Sequence, residues 1–475
     1  MAAEDSTPVK RFVSTAAMAA LLSGCATAPA PLRTSPTPVT AGWQAALPHG
    51  GATVDLTQWW AQFKDPLLPD LIAAAQAASP ALASARARIE RARAARVAAG
   101  AGLWPMVGAV GSASSGRSVP GQPTATSASL GVQAAWEIDL FGAVTAGRDA
   151  AQARLQGAQA GWHDARVSLA AEVATGYTAL RGCEAQLVQT RADAASRAET
   201  TRLTELSAQS GFTAPADAAL VRASAAQARS QALSQQAACD TQIKSLVEIT
   251  DLPEAALRPR LAAGTAVLPQ PVAITVTALP ASLLAQRPDL AEAARNVVAA
   301  AGDESQSRAR GLPQVSLSGS LAAAGLRSGG VSTTGSTWSF GPLLVSFPIF
   351  DGGSRAANTA AAKAGYDEAV AVYRAQVRRA VREVETALVA LDATAERQRD
   401  AEAAARDFEA SLVATQARQR GGLASLFDLE AARRNAVQAQ SALINLQRER
   451  ASAWIALYRA LGGGWSAANN ADPQT

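Results

Sequence analysis

The chain has 475 residues, too many for a single compact core, so about two or three bodies are expected. Its formal charge of +4 is mild for this length and argues against nucleic-acid binding, which needs a concentrated basic face. Two histidines in the whole chain argue against a histidine metal centre, and an aromatic content of 5% favours closely packed helices with small side chains.

The N-terminal segment 1–24 is predicted to be a secretory signal. Two basic residues precede an apolar run of eleven residues that ends at Leu22, too short to span a bilayer as a helix. The next residues, Ser-Gly-Cys ending at Cys25, complete a motif that resembles the lipobox of bacterial lipoproteins, whose cysteine carries acyl chains such as palmitate. A plain signal peptide with an incidental cysteine is the alternative. An alanine, Ala26, follows the cysteine, as in lipoproteins that are sorted to the outer membrane. The proline-rich segment 25–55 is predicted to be a lipid-anchored tether.

The first half of the body, 56–251, is predicted to begin with helices. Apolar residues from Trp59 onward start the packed part, and Ser79 followed by Pro80 predicts the start of a helix. From there the hydrophobic period changes to two, which predicts a β-hairpin over 103–140. The apolar face of its second strand consists of Leu130, Val132, Ala134, Trp136, Ile138 and Leu140.

A long helical hairpin is predicted over 141–250, because apolar residues recur at spacings of three and four and Gly211 then interrupts them. The seam of its first helix consists of Leu169, Val173, Gly176, Leu180, Cys183 and Leu187. Cys183 and Cys239 each lie 28 residues from Gly211, so an antiparallel hairpin brings them face to face. In an exported, oxidising setting this predicts a disulfide. Two buried free thiols are the alternative.

The segment 252–285 is predicted to be a crossover with little regular structure, since it holds five prolines. A short strand is expected at 272–277. The C-terminal tail, 462–475, ends in a polar stretch, 466–475, that is expected to be disordered.

The second half, 286–461, repeats the first. Shifts of 208 and 211 residues superpose the two halves and place the second glycine turn at Gly422. They predict a β-hairpin over 312–350 and a helical hairpin over 352–461. The seam of the first of these long helices consists of Tyr366, Val370, Tyr373, Val377, Ala380, Val384, Ala387 and Leu391. A glycine-rich loop at 325–335 is predicted to join the two strands, because it lacks the Gly-Lys-Ser/Thr ending of a phosphate-binding loop.

The four predicted strands are apolar on one side and rich in Ser and Gln on the other, which is the pattern of a membrane β-barrel. A soluble antiparallel sheet with one wet face shows the same alternation and is the alternative. Four strands cannot close a barrel, since about eight are needed. The membrane interpretation therefore requires several copies, and either two or three copies satisfy it.

Four segments carry a family resemblance: 286–290 (Gln-Arg-Pro-Asp-Leu), 308–317, 422–429 and 136–142 (Trp-Glu-Ile-Asp-Leu-Phe-Gly). They resemble the signatures of outer membrane efflux proteins, and with the lipobox they resemble the lipoprotein branch called OprM-like or NodT-like, relatives of TolC. The resemblance implies a mainly α chain that forms a homotrimer. Its long antiparallel coiled-coil helices form a trimeric α-barrel through the periplasm, and four strands per chain form a 12-stranded β-barrel in the outer membrane.

The resemblance also implies a passive exit duct for small toxic compounds, without catalysis or cofactor. Its partners would be a periplasmic adaptor (membrane fusion protein), an inner-membrane pump of the resistance-nodulation-division (RND) type and outer membrane lipid. The exit duct of type I protein secretion uses the same fold and is an alternative. A lipid-anchored periplasmic coiled-coil scaffold is an alternative of another class. No catalytic group, metal site or nucleotide site is predicted, and His49 and His163 are expected to have surface roles.

The helix tips are the candidate functional site. The two tips consist of Gly211, Phe212, Thr213, Gly421, Gly422 and Leu423. Their glycines are expected to cap the C-termini of the long helices. The family resemblance implies that the tips also contact the adaptor. Ser425 and Asp428 have the form of a capping box. By resemblance, Asp428 and its counterpart Asp217 also belong to a ring of carboxylates that narrows the periplasmic aperture. Relatives carry a second aspartate where this chain has Ala431, and Glu430 is a weaker substitute because its helical direction differs.

Overall fold

The computed structural model describes residues 44–45, 56–117, 120–121, 123–271 and 285–466, with only the backbone at Thr57 and Gln58. The predicted signal segment with Cys25, most of the tether with His49, the strand at 272–277 and residues 467–475 of the C-terminal tail lie outside the described residues.

Thirteen elements follow one another in the described chain, beginning with a 3₁₀ helix at Leu56–Phe63. The others are α1 (Leu67–Ala78), α2 (Pro80–Ala101), β1 (Met106–Gly116), β2 (Ala125–Ile138), α3 (Ala143–Gln209), α4 (Pro215–Thr250), α5 (Glu254–Ala262), α6 (Pro288–Ala309), β3 (Gln314–Ser328), β4 (Val331–Ser346), α7 (Ser354–Arg420) and α8 (Leu426–Ala460).

The two halves of the chain have matching elements. Helices α3 and α7 both contain 67 residues, and their first residues are 211 positions apart. Helices α2 and α6 both contain 22 residues, and their first residues are 208 positions apart. At about 1.5 Å per residue, α3 and α7 are each about 100 Å long. The element order thus repeats with the two shifts found in the sequence.

The described chain divides into two compact units that differ from the two repeats, since each unit contains parts of both halves. One unit holds the sheet and the helical segments within 87–159 and 292–374. The other holds the described residues of 38–86, 160–291 and 375–475.

Among the described residues, no helix is both long and apolar enough to cross a membrane.

The four strands form one antiparallel sheet in the order β1-β2-β3-β4. The predicted loop at 325–335 is wrong in length, because β3 continues to Ser328 and β4 already begins at Val331. Gly329 and Gly330 alone form the turn, with φ of 59° and 85°. Two successive positive φ values match the twist of a tight hairpin, and glycine adopts them without strain.

The register of the sheet gives it two chemically different faces, because paired residues on neighbouring strands share a face. The apolar face carries rows across all four strands, one of which is Ala109, Val132, Leu321 and Trp338. The opposite face, called the serine face, carries hydroxyl pairs between neighbouring strands. Its pairs include Ser112 with Ser129 and Ser320 with Ser339, both with oxygens 2.8 Å apart. The predicted alternation is confirmed.

The second unit contains a continuous hydrophobic core. Trp59 is fully buried and stacks on Tyr458 of α8, with ring centroids 4.9 Å apart. The middle of the first predicted seam and the last part of the second lie in this core, where Val173 of α3 and Val384 of α7 are fully buried. The predicted start of α2 is also confirmed, because the backbone N–H of Leu82 donates to Ser79 Oγ at 3.3 Å.

The crossover contains more regular structure than predicted. Helix α5 follows Asp251, whose φ of 54° turns the chain at the end of α4. Leu257 and Leu261 of α5 are buried in the core, and this burial explains why the helix forms although Pro259 lies inside it.

Candidate functional site at the helix tips

Both long hairpins turn through the same glycine motif. Gly211 and Gly422 have left-handed φ values of 75° and 71°. In each turn the N–H of the following residue donates to the carbonyl five positions back, at 2.9 Å after Gly211 and 2.8 Å after Gly422. This is the Schellman arrangement, which satisfies helix-end carbonyls. The predicted glycine caps are confirmed.

The turns expose large apolar side chains. Phe212 is 86% exposed, Leu423 74% and Phe427 64%. Gly421 is exposed as well, whereas Thr213 is half-buried, with its hydroxyl 2.7 Å from that of Ser207. Large exposed apolar side chains at a turn favour a protein contact over a purely solvated loop.

Asp428 is exposed in the first turn of α8 and belongs to a complete capping box. Its carboxylate accepts hydrogen bonds from the Ser425 N–H at 2.9 Å and the Ser425 hydroxyl at 2.7 Å. Ser425 Oγ in turn accepts from the Asp428 N–H at 3.1 Å. The bond from the Ser425 side chain lowers the pKa of Asp428, so this carboxylate is anionic at neutral pH. The predicted capping box is confirmed.

Asp217 lies at the matching position of the first repeat, in the first turn of α4, and is half-buried. Ala214 caps that helix without a side-chain hydrogen bond, and Pro215 occupies the first helical position. The structure therefore places the two predicted aperture residues equivalently in their helices, but only Asp428 takes part in a capping box.

Glu430 does not share the exposed direction of Asp428, and its possible role as a substitute in the carboxylate ring is wrong. Its side chain is 5% exposed. Its carboxylate accepts from Arg433 Nη1 at 2.8 Å, from Ser224 Oγ at 2.6 Å and from Arg197 Nη1. Burial among three donors removes it from any solvent-lined surface of this chain.

The contacts of Glu430 belong to a buried polar cluster, called the tip network. Its members are Asp193, Ser196, Arg197 and Thr200 of α3, Ser224 of α4, and Glu430 and Arg433 of α8. Sequence reasoning did not find it. The available signal was the pair of opposite charges at i and i+3 in α8 and the pair at i and i+4 in α3.

The structure joins Cys183 of α3 to Cys239 of α4 as a disulfide, with Cα atoms 5.6 Å apart. The side-chain amide of Gln235 also donates to the Cys183 carbonyl at 3.2 Å. The two helices of the first hairpin are thus held together by a covalent bond in addition to packing.

His163 is not on the surface, so that prediction is wrong. It is 7% exposed and packs beside Trp162 and Trp465, at ring-centroid distances of 4.9 and 6.2 Å. Burial, together with the nearby positive charge of Arg166, lowers the pKa of His163 to about 4. Within the described chain, no group of three or more His, Cys, Asp or Glu side chains is placed to hold a metal ion.

Comparison with known proteins gives consistent matches along the chain. Residues 71–250 and 279–463 match the family described as Outer membrane efflux protein. The pyoverdine export outer membrane protein OpmQ of Pseudomonas putida is 31% identical over 91% of this chain and 95% of its own length. Outer membrane protein OprJ of Pseudomonas aeruginosa is 30% identical over 95% of this chain and 96% of its own length. The solved structure of the outer-membrane channel OprN superposes with a TM-score of 0.80 at 28% identity, over 90% of this chain and 98% of that one.

Proposed function

The chain belongs to the outer membrane efflux protein family, and from this premise we propose that three copies form a passive exit duct through the outer membrane. The cargo is small toxic compounds delivered by an inner-membrane pump and a periplasmic adaptor. Relatives named for toluene and antibiotic efflux support this class of cargo.

The observation that carries the proposal is the chemistry of the sheet. Its apolar face bears Leu130, Val132 and Trp338, which are 70, 47 and 78% exposed in a single chain. Its serine face bears the hydroxyl pairs. A sheet with one lipid-compatible face and one wettable face separates a membrane from an aqueous lumen.

The edges of the sheet support assembly. β1 and β4 are its edge strands, so each has a single strand neighbour within the described chain. Backbone N–H and C=O groups cannot stay unpaired in lipid. Pairing β4 of one copy with β1 of the next satisfies both edges, and three copies of the four-stranded sheet give 12 strands.

The tips supply the periplasmic contacts and the aperture. The exposed Phe212 and Leu423 suit contact with the adaptor, which links the duct to a pump of the RND type. Three copies of Asp428, with three of Asp217 from the matching position of the first repeat, concentrate negative charge on the symmetry axis, where it repels anions and attracts cations. Cys25 carries the lipid that anchors the N-terminus to the outer membrane. Labelling with radioactive palmitate tests this point, since Cys25→Ala should remove the label.

Deletion of the gene, followed by growth assays across dyes, detergents, antibiotics and metal salts, tests the proposal. Secreted proteins are measured in parallel. Increased sensitivity that the wild-type gene restores supports small-molecule efflux. Unchanged sensitivity with a missing secreted protein would instead support a protein-secretion duct.

Cell fractionation distinguishes the proposed duct from the alternative of a periplasmic scaffold. A duct should appear in the outer membrane fraction as an oligomer that heating in detergent converts to monomer. Recovery as a soluble periplasmic rod would refute the membrane assignment.

A further inference from the structure

The two β-hairpins carry their positive charge at one end. Each of the segments 104–136 and 312–350 contains one arginine and no other charged residue. Arg117 directly follows β1, and Arg327 is the residue before the last of β3, so both lie at the turn end of the sheet. The only acidic residue in the four strands is Glu137, at the end of β2 that leads to the helices. The turn end of the sheet therefore carries two positive charges per chain.

Arg327 belongs to a row of residues that is polar on all four strands. The register pairs Arg327 with Thr126 on one side and with Ser332 on the other, and it pairs Thr126 with Ser115. These four residues, called the outer row, are all exposed. They lie on the apolar face, because each is an even number of residues from the row that contains Val132.

The rows next to the outer row on this face are mostly apolar. The nearest row has one hydroxyl group and consists of Ala113, Ala128, Gly325 and Thr334. A row closer to the helices has none and consists of Val107, Ala134, Gly319 and Phe340. Within the described sheet, the outer row is thus the only row of the apolar face with a polar side chain on every strand.

The depth of the outer row matches the level of lipid headgroups. Thr126 lies twelve residues before Ile138, the last residue of β2, so their rows are about 40 Å apart along the strands. A strand tilt of about 45° reduces this distance to about 28 Å along the membrane normal, whereas the apolar band of a membrane β-barrel is about 25 Å tall. With the row of Ile138 at the inner boundary, the outer row lies just beyond the hydrocarbon. In the proposed duct this is the exterior side, because the other ends of the strands continue into the helices.

The chemistry of the outer row suits a phosphate group. A guanidinium presents a planar fork of donors that matches two phosphate oxygens, and Arg327 has no carboxylate partner in the described sheet. Ser115 Oγ and Thr126 Oγ1 are 2.9 Å apart, and the hydroxyl that accepts this hydrogen bond keeps its own proton for another acceptor. Neighbouring strands are about 4.8 Å apart, so Thr126 and Ser332 place hydroxyls on both sides of Arg327.

We propose that the outer row binds the phosphate group of an anionic lipid in the outer leaflet. The guanidinium of Arg327 forms the ion pair, and the hydroxyls of Thr126 and Ser332 donate hydrogen bonds to the remaining phosphate oxygens. Arg117 adds a second cation at the same end of the sheet and strengthens the attraction. The inference rests on the proposed function, since only a sheet that crosses the outer membrane meets this leaflet.

Native mass spectrometry of the full-length protein, purified in a neutral detergent, tests the proposal. The probe is lipid A, a phosphorylated glycolipid, compared with the same lipid after a phosphatase has removed its phosphates. We expect the wild type to bind lipid A about tenfold more tightly than the dephosphorylated lipid. Arg327→Gln should abolish this preference, whereas Arg327→Lys, which keeps the charge but loses the planar fork, should retain part of it. Equal binding of the two lipids by the wild type would overturn the proposal.

A matched control separates a defined site from general attraction between charges. The double variant Leu326→Arg with Arg327→Leu keeps the composition and net charge but moves the cation to the serine face. It should lose the preference for lipid A as Arg327→Gln does. A wild-type preference in the double variant would overturn the proposal, because the face that carries the cation would then not matter.

Competition with inorganic phosphate distinguishes a lipid site from a site for soluble anions. Inorganic phosphate at the same concentration as lipid A should not displace the lipid, since the acyl chains add contacts with the apolar face. Displacement of lipid A under these conditions would overturn the assignment to a lipid.

A milder variant keeps the test decisive if changes at Arg327 prevent assembly. Thr126→Val removes one hydroxyl and keeps the shape of the side chain, so the preference for lipid A should fall about threefold. An unchanged preference in Thr126→Val would then overturn the proposal. If the wild-type protein forms no oligomer in the outer membrane, the proposed function fails instead. A normal oligomer without a preference for phosphate refutes only the lipid site, which keeps the two failures distinct.

Discussion

Two adjacent glycines at the tip of the second hairpin should respond in opposite ways to the same substitution. Gly422 has a φ of 71°, whereas Gly421 is outside the left-handed range. An added Cβ at Gly422 meets nothing within 4 Å, so only backbone strain opposes Gly422→Ala. At Gly421 the nearest atoms are carbonyl oxygens at 3.6 Å, which is ordinary contact.

The magnitudes follow from backbone preferences. Forcing alanine into the left-handed region costs about 1–2 kcal/mol, and the stiffer unfolded chain offsets about 0.4–1 kcal/mol of this. Gly422→Ala should thus lower the local stability of the tip by about 1 kcal/mol. Gly421→Ala meets no strain and should raise it by about 0.5 kcal/mol.

Hydrogen exchange measured by mass spectrometry reports these differences at the end of α7 and the start of α8. Gly422→Ala should speed exchange there about fivefold, while Gly421→Ala should slow it. Gly211→Ala, at a φ of 75° and also with no atom within 4 Å, should reproduce the effect of Gly422→Ala at the first tip. Equal effects of the two adjacent substitutions would refute the strain argument.

Three further predictions concern the sheet, the disulfide and a buried histidine. Val132→Arg on the apolar face should cost about 2–4 kcal/mol in the membrane and reduce the oligomer in outer membrane fractions, whereas Ser129→Arg on the serine face should assemble. The denatured, unreduced protein should yield no free thiol from Cys183 and Cys239, and reduction of a bond that closes a loop of 56 residues should destabilise the chain by about 4 kcal/mol. Because burial depresses the pKa of His163 from 6.5 to about 4, the unfolded chain takes up its proton first, so stability should fall as the pH drops from about 6.5 to 4. Thermal unfolding followed by circular dichroism should show a smaller fall in His163→Gln; an equal fall would contradict the assignment.

The long hairpins could be predicted because their signals are local. Gly211 and Gly422 interrupt helix-forming stretches, and each takes the left-handed conformation that glycine adopts without strain. The capping box at Asp428 was predictable for the same reason, since its partner Ser425 is three residues away. Where all the interacting groups lie within a few residues of one another, the sequence pattern is sufficient to predict the local structure.

The errors arise where pairing or packing with other segments decides the structure, rather than the residue types of the segment itself. The stretch 331–337 is rich in Gly, Ser and Thr, which suggests a loop, yet pairing such as Leu326 with Thr333 extends the hairpin almost to its tip. His163 is buried by Trp465, about 300 residues later in the chain. Glu430 finds Arg197 across a separation of 233 residues, so no window of sequence around either residue indicates the contact.

The two-residue turn at Gly329 and Gly330 limits the surface that this hairpin can expose outside the cell. We expect the hairpin turns to face the exterior in the proposed duct, because the other ends of β2 and β4 continue into the long helices that lead to the periplasmic tips. At one of these turns β3 and β4 are joined by only two residues. The other turn, between β1 and β2, spans eight residues, 117–124. At the turn between β3 and β4, antibodies and bacteriophages that approach from the medium should therefore meet a target of only two glycines. The segment 117–124 is accordingly the better position for an inserted epitope tag, because the two-residue turn leaves no slack for extra chain.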